Sequence, residues 1–434
     1  MFLFFLIVFW LKEYIAISMK YAPPTDSPST APERPLWRNQ DFLLLWSGQI
    51  VSTIGTNMSA LALPLLVLAL THSPAQAGLV AALQMLPYLL FSLPVGALID
   101  RWDRKAIMIR CDAVRWLALG SVPLAFFLGH LSVAQLYIIA VIEGTANVLF
   151  GLAQISALPR VVKPAQIPQA YALDQVTEYI STLLGPNLST LLISLARSTV
   201  LGAILAYLVD SISYLISVIS LRFIRVPFQN ERKQEKIHLW QDIMEGLRFL
   251  WQQPILRIMV LLTMSVNFLS VPVKLAIIVL VQNRLHLDAL MLGIIISADG
   301  IGGLVGGFLA PWVKRHLRFG QIIIGSVIVW SLATLLCTLA TSAPLLIIGR
   351  GLVGLIWPLY AVALVSYRLS ITPDELQGRV NSSFRVLTYG IEAIGSALGG
   401  LLLAMLDPRI ELGLISGGLA LSAIIVVFTH LRRA

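Results

Sequence analysis

Gly96-Ala-Leu-Ile-Asp100-Arg101-Trp-Asp103-Arg104-Lys105 is a short charged loop between two long apolar runs, 76–99 and 106–128. A bilayer core of ~30 Å needs about 20 apolar residues per helical crossing. Both runs meet that length, and the same rhythm continues in each direction. Cut at turn residues and charges, the chain yields spans near 42–70, 76–99, 106–128, 134–158, 169–197, 200–224, 255–282, 289–312, 320–341, 345–370, 380–405 and 410–430. The expected fold is an all-α integral membrane protein of about twelve helices. Composition agrees: 57% of the 434 residues are hydrophobic and 12% charged, half the charge of an ordinary soluble domain.

The basic residues alternate from loop to loop. One set of loops holds Arg34 and Arg38, the Arg101–Lys105 cluster, Arg160 and Lys163, Lys314 to Arg318, and Arg432 with Arg433; the other set offers Arg197, Arg284 and Arg409. Short loops rich in Lys and Arg stay on the cytoplasmic side. Both termini are therefore expected in the cytoplasm, in a bacterial inner or plasma membrane. The net charge of +9 is a topology signal rather than a nucleic-acid footprint. Residues 1–38 read as a tail, with Met19 as an alternative start and a Pro- and Ser-rich stretch after it. Residues 39–224 form one six-helix bundle and 254–434 another. Between them, 225–253 reads as an amphipathic linker at the membrane surface, with Ile243, Leu247, Leu250 and Trp251 on one face.

The halves echo each other at an offset of roughly 210 residues, as parallel repeats do. GALIDRWDRK (Gly96–Lys105) closes the second span and GGFLAPWVKRHLR (Gly306–Arg318) the eighth; LLGPNLSTLL (Leu183–Leu192) corresponds to AIGSALGGLL (Ala393–Leu402).

These motifs resemble the major facilitator superfamily, most of all its drug- and macrolide-efflux and siderophore-exporter branch. Gly96, Leu98, Asp100, Arg101, Arg104 and Lys105 match the superfamily's loop signature, with Asp103 in place of its second glycine. The resemblance implies a gating latch, in which Asp100 meets the end of the eleventh span near Arg379. Gly185 and Pro186 match the start of the exporter motif, with Ser189 and Thr190 in place of its paired glycines. The eleventh span carries Gly395, Gly399 and Gly400, with Ser396 in the proline position. Kinking and close packing are the expected content of both stretches. The arginine of a third motif is absent from the fourth span (Ala140, Gly144) and present in the tenth (Arg350, Gly354).

By the same resemblance, spans one, four, seven and ten line a central cavity. Ionisable groups at membrane depth are costly and therefore point to function. Glu143, Lys274 and Arg350 fall at similar depth and are expected as one cavity cluster, with an ion-pair network joining the halves as the alternative. Asn57, Asn147, Asn267 and Trp357 are further cavity candidates. Glu178, Asp299 and Glu392 are candidates for proton carriage, since loss of water favours the neutral acid and a nearby cation the carboxylate. Asp112 and Arg115 read as a local pair and Asp210 as structural. The histidines lack ligand spacing, and there is no phosphate-binding glycine loop, so neither a metal, a cofactor nor ATP-driven pumping is expected.

The expected function is proton-coupled efflux of a small amphipathic molecule by alternating access, carried out by a monomer whose partners are that substrate, protons and lipid. The alternatives are a lipid or uptake transporter of the same fold, or a polytopic membrane enzyme. The enzyme would need a Ser/His or His/Asp constellation that the sequence lacks. If Asp100 forms the latch, Asp100→Asn is expected to insert and fold normally while losing most transport in everted vesicles; normal transport by that variant would remove the latch.

Overall fold

In the computed structural model, residues 36–98, 102–228, 239–373, 376–429 and 431 are described. Among them the regular structure is helical. Six long helices come first: α1 (Gln40–Thr71), α2 (Pro74–Leu98), α3 (Arg104–Phe127), α4 (Val133–Val161), α5 (Ile167–Ala196) and α6 (Thr199–Phe223). A shorter α7 (Leu239–Gln252) precedes six more: α8 (Pro254–Asn283), α9 (Ala289–His316), α10 (Phe319–Thr338), α11 (Ala343–Ile371), α12 (Gln377–Met405) and α13 (Pro408–Val427). Eleven of the twelve long helices, or segments of them, are long and apolar enough to cross a membrane. The exception is α3. It carries Arg104, Lys105, Arg110, Asp112 and Arg115, of which Arg104, Asp112 and Arg115 are buried inside the first bundle. Internal hydrogen bonds let a helix this polar take its place among the others.

Local chemistry sets the helix ends. Asn39, Ser132, Ser198 and Asp288 each accept a backbone N–H at the start of a helix, which satisfies donors that a bare helix would leave unpaired. Asp103, the residue that departs from the loop signature, caps α3 in the same way, accepting from the Ala106 N–H at 3.1 Å. At the opposite end of the molecule Asp407 starts α13. The backbone N–H of Arg409 donates to it at 2.8 Å and Arg284 pairs with it. Both interactions hold its carboxyl below the usual range, the backbone bond first.

Each bundle is built twice over by the same contacts. Gly185 of α5 lies against Asn57 and Met58 of α1, and Gly395 of α12 against Phe268 of α8. Gly144 of α4 presses on the backbone of Gln84 in α2, and Gly354 of α11 on that of Asp299 in α9. The first two contacts repeat at the offset read from the sequence.

Two helix pairs, α2 with α12 and α5 with α9, join the bundles. On α2 and α12 the closest approach is glycine against glycine. A methyl added to Gly400 would stand 2.6 Å from the Gly78 Cα, and one added to Gly78 would stand 2.6 Å from the Gly400 Cα. Lipid tails drive no hydrophobic association between helices, so such backbone-to-backbone packing supplies much of the attraction. Further along the pair, the rings of Tyr88 and Tyr389 lie 5.9 Å apart. On α5 and α9, Gly293 sits on Thr190, and Gly303 receives the Tyr179 ring. The serine and threonine that replace the exporter motif's paired glycines are therefore buried packing residues; Thr190 bonds back to the Pro186 carbonyl at 2.9 Å.

α7 rests on α12. Glu245 pairs with Arg379, and Gly246 lies against the Arg379 backbone. Leu250 is buried, whereas Met244 and Trp251 are exposed.

Gly400→Ala is expected to destabilise the protein by about 1–3 kcal/mol through overpacking. A thermal melt in detergent should show a midpoint several degrees below wild type. Gly417→Ala, where a methyl meets open space, should leave it unchanged.

Candidate functional site

The first bundle encloses a connected polar network. Arg115 of α3 bonds Asp112 at 3.3 Å and Asn147 of α4 at 3.1 Å. Ser217 of α6 donates to Asp112 at 2.6 Å, and Asn147 donates to the Tyr88 hydroxyl at 3.1 Å. The Arg115 guanidinium also lies over the rings of Phe150 and Tyr214, 5.4 and 5.1 Å from their centroids. The local pair of the sequence reading is present, and it extends across four helices. Nearby, Ser59 of α1 donates to Asp210 of α6. Asp210 is fully buried between α6 and α1, consistent with a structural role.

The second bundle holds two separate polar groups. Arg350 of α11 is paired with Asp299 of α9, and Asp299 keeps its other oxygen, Oδ1, buried without a hydrogen-bond partner. Asn267 of α8 donates to the Glu392 carboxylate of α12 at 2.9 Å and to the Thr388 carbonyl at 2.8 Å.

Glu143, Lys274 and Arg350 do not meet as one hydrogen-bonded cluster, which corrects the sequence-based expectation. Depth along a helix does not fix the direction of a side chain. Arg350 points to α9, where Gly354 brings the backbones together, and Glu143 accepts from Gln84 of α2 at 3.0 Å. Lys274 stands apart. Its Nζ crosses between the bundles to the Ala60 carbonyl of α1, at 3.1 Å. That carbonyl lies four residues before Pro64, a residue inside α1 with no N–H to donate back to it.

Lys274 lines a cavity of about 170 Å³ between the bundles, together with Ala60, Pro64, Ala77, Gln84 and Ser396. This space is bounded by α1, α2, α8 and α12 rather than by the four helices expected from resemblance. A second cleft, of about 560 Å³, opens at the face away from the chain ends. Leu68, His72 and Thr199 of the first bundle and Asn283 and His286 of the second line it.

The remaining candidates are placed as follows. Asn57 is half-buried and bonds the Thr53 carbonyl at 3.0 Å. Trp357 is 38% exposed and stands edge-on to Trp330 of α10, with centroids 5.7 Å apart. Glu178 is exposed on α5, four residues from Asp174, which accepts from Gln154 at 3.2 Å. Arg104 is buried and donates to the carbonyls of Ser156 and Phe228, and Lys105 donates to that of Ile224. Lys105 at Ile224, the C-terminal cap of α6, fits the helix dipole, and both cations brace the first bundle. Asp100 and Arg101 lie outside the described residues; Gly96 lies in α2, with its surroundings outside them.

Sequence reasoning missed Gln84, Ser396 as a cavity residue and Glu411. The carboxylate of Glu411 is buried in the first turn of α13, near Gly399 of α12, and its Oε2 has no hydrogen-bond partner. A lone Glu three residues after Pro408 reads as an ordinary first-turn acid. Gln84 and Ser396 are uncharged and carry no signal of depth.

Comparison with known proteins follows from this geometry. Residues 30–434 match the profile of the transmembrane secretion effectors. The chain belongs to that family, within the major facilitator superfamily. It is 25% identical to the multidrug efflux pump Tap of Mycobacterium tuberculosis, over 84% of this chain and 87% of Tap. It is 26% identical to the macrolide efflux protein A of Streptococcus pyogenes, over 89% and 94%. It is 24% identical to the enterobactin exporter EntS of Escherichia coli, over 90% and 92%. Among solved structures, the nucleoside transporter NupG superposes with a TM-score of 0.72 at 12% identity, covering 90% of this chain and 100% of NupG. A bacterial homologue of ferroportin in its inward-facing state superposes at 0.67 and 15% identity, over 91% and 99%. The chain is a multi-pass efflux transporter and not an enzyme.

Arg350→Met alone strands Asp299 as a buried, unpaired carboxylate, and the expected loss is about 3–5 kcal/mol. Arg350→Met combined with Asp299→Leu should recover most of that loss. Thermal melts of the two variants against wild type separate a stabilising pair from an independent arginine.

Proposed function

We propose that the protein exports small amphipathic molecules from the cytoplasm by alternating access, driven by proton entry through Glu392. The observation that carries this reading is the partnership of Glu392. Its hydrogen bond comes from the neutral amide of Asn267, and no cation pairs with it among the described residues. A carboxylate held this way can take up a proton without breaking an ion pair, whereas Asp299 would have to give up Arg350. Glu392 lies on α12, which also carries the glycines that meet the first bundle. Its charge state therefore acts directly on the contact between the bundles.

The direction of transport and the cargo class rest on the three curated relatives, all named as efflux proteins or exporters. The basic loops put the face bearing the chain ends in the cytoplasm of a bacterial cell, and the protein acts as a monomer. In this reading the glycine contact of Gly78 with Gly400, near the loop ends of α2 and α12, closes the outer side. The central cavity then faces inward. A latch between the Asp100 loop and α12 belongs to the same cycle, with Arg379 at the foot of α12 already held by Glu245.

In everted vesicles, uptake of a fluorescent cargo is expected to collapse when an uncoupler is added while ATP is maintained. Glu392→Gln should lose proton-driven uptake while retaining energy-independent exchange of cargo. Uptake that survives the uncoupler and stops on ATP depletion would overturn proton coupling.

A further inference from the structure

Two polar groups in the cavity between the bundles have hydrogen-bonding capacity to spare. Lys274 is an ammonium with three donors. Its one hydrogen bond among the described residues goes to a neutral carbonyl, that of Ala60. Asp299 is paired with Arg350. Lys274, Arg350 and Asp299 together therefore carry one uncompensated positive charge. Ser396, on the neighbouring helix α12, is 3% exposed, and its hydroxyl is buried with no hydrogen-bond partner among the described residues. It stands where the exporter motif would have a proline, so this chain has a hydroxyl donor where a proline would offer none. Both residues line the same space, about 170 Å³ in volume. Gln84 also lines it and donates its amide to Glu143, while Glu143 itself stays outside the lining.

We propose that Lys274 and Ser396 bind the acidic head group of an anionic cargo, which draws Lys274 off the Ala60 carbonyl and so releases α1 from α8. The proposal deepens the export reading by naming a cargo class and the contact that the cargo breaks. A buried ammonium and an unsatisfied hydroxyl both gain from an anionic oxygen, and a charge-assisted bond is roughly twice as strong as one to a neutral acceptor. The Ala60 carbonyl is a suitable placeholder. Pro64 leaves it without its helical donor, so it holds Lys274 when the site is empty and yields to a charged acceptor. A space of about 170 Å³ takes one acid head group with a short apolar stem. Because Lys274 belongs to one bundle and Ala60 to the other, occupying the site and parting the bundles are a single event.

The probes are 2-naphthoate and its neutral isostere 2-naphthamide, titrated by calorimetry into the purified full-length protein. Wild type should bind the acid about tenfold more tightly than the amide, a difference of about 1.4 kcal/mol. Lys274→Met should abolish that preference, and Ser396→Ala should reduce it. The second readout is the distance between spin labels at Thr199→Cys and Asn283→Cys, in a background with Cys111 and Cys337 replaced by alanine. These positions face each other across the cleft at the far face. The acid should raise a longer-distance population in wild type and not in Lys274→Met. Pro64→Ala returns a donor to the Ala60 carbonyl. It should show the longer distance without any probe and still prefer the acid. Equal binding of acid and amide by wild type, an intact preference in Lys274→Met, or a label distance that ignores the acid would each overturn the proposal. Neither readout needs a proton gradient, so failure of proton coupling leaves them unaffected.

Discussion

Hydrocarbon offers no hydrogen bond, and each polar atom of this chain must find its partner within the protein. Helices solve the problem for most of the backbone but leave exceptions wherever a proline interrupts them. Pro64 in α1 and Pro272 in α8 each free a carbonyl four residues earlier, Ala60 and Phe268. The Ala60 carbonyl is met by Lys274 from the other bundle, and the Phe268 carbonyl faces Gly395, where a side chain would collide with it. The prolines thus create polar contact points, and these two are met by Lys274 and by the close approach of Gly395. A transporter must break and remake contacts between its halves, and a lone carbonyl is a weaker hold than an ion pair. A weak hold at the centre suits a bundle interface that has to open.

The charges divide along the same line. Those inside one bundle are paired: Arg115 with Asp112 and Asn147, and Arg350 with Asp299. Separating such pairs costs several kcal/mol, and they move with their bundle as rigid parts. The groups with neutral partners are Lys274, which lines the space between the bundles from α8, and Glu392 on α12, which packs on the first bundle. Among the described residues the ion pairs lie within a bundle or between α7 and α12, an arrangement that suits stiff halves and a joint that can move.

Arg115 shows how the arrangement outlives a departure from the family motif. The fourth span has Ala140 where an arginine is expected, and no cation on that helix approaches Glu143. Arg115 instead reaches in from α3 to Asn147, one turn from Glu143 along α4. The position of the charge is supplied by a different helix. A motif written along one helix cannot register that exchange, because the interaction belongs to the volume between helices.

The sequence alone determined the helices, their number, the internal repeat and the family. Each of these depends on apolar run length, spacing of small residues or loop charge, and all three are local properties of the chain. It also marked the deep charges, since any Asp, Glu, Lys or Arg within an apolar run is conspicuous. Which of them touch was decided by the tertiary structure. The expected cluster of Glu143, Lys274 and Arg350 required three side chains to converge; helix rotation, set by glycine contacts such as Gly354 on Asp299, sends each to a different neighbour. The importance of Gln84, Ser396 and the Ala60 carbonyl was likewise invisible. An amide, a hydroxyl and a backbone oxygen have no unusual hydropathy, and they acquire a role only where folding places them around one cavity with an ammonium.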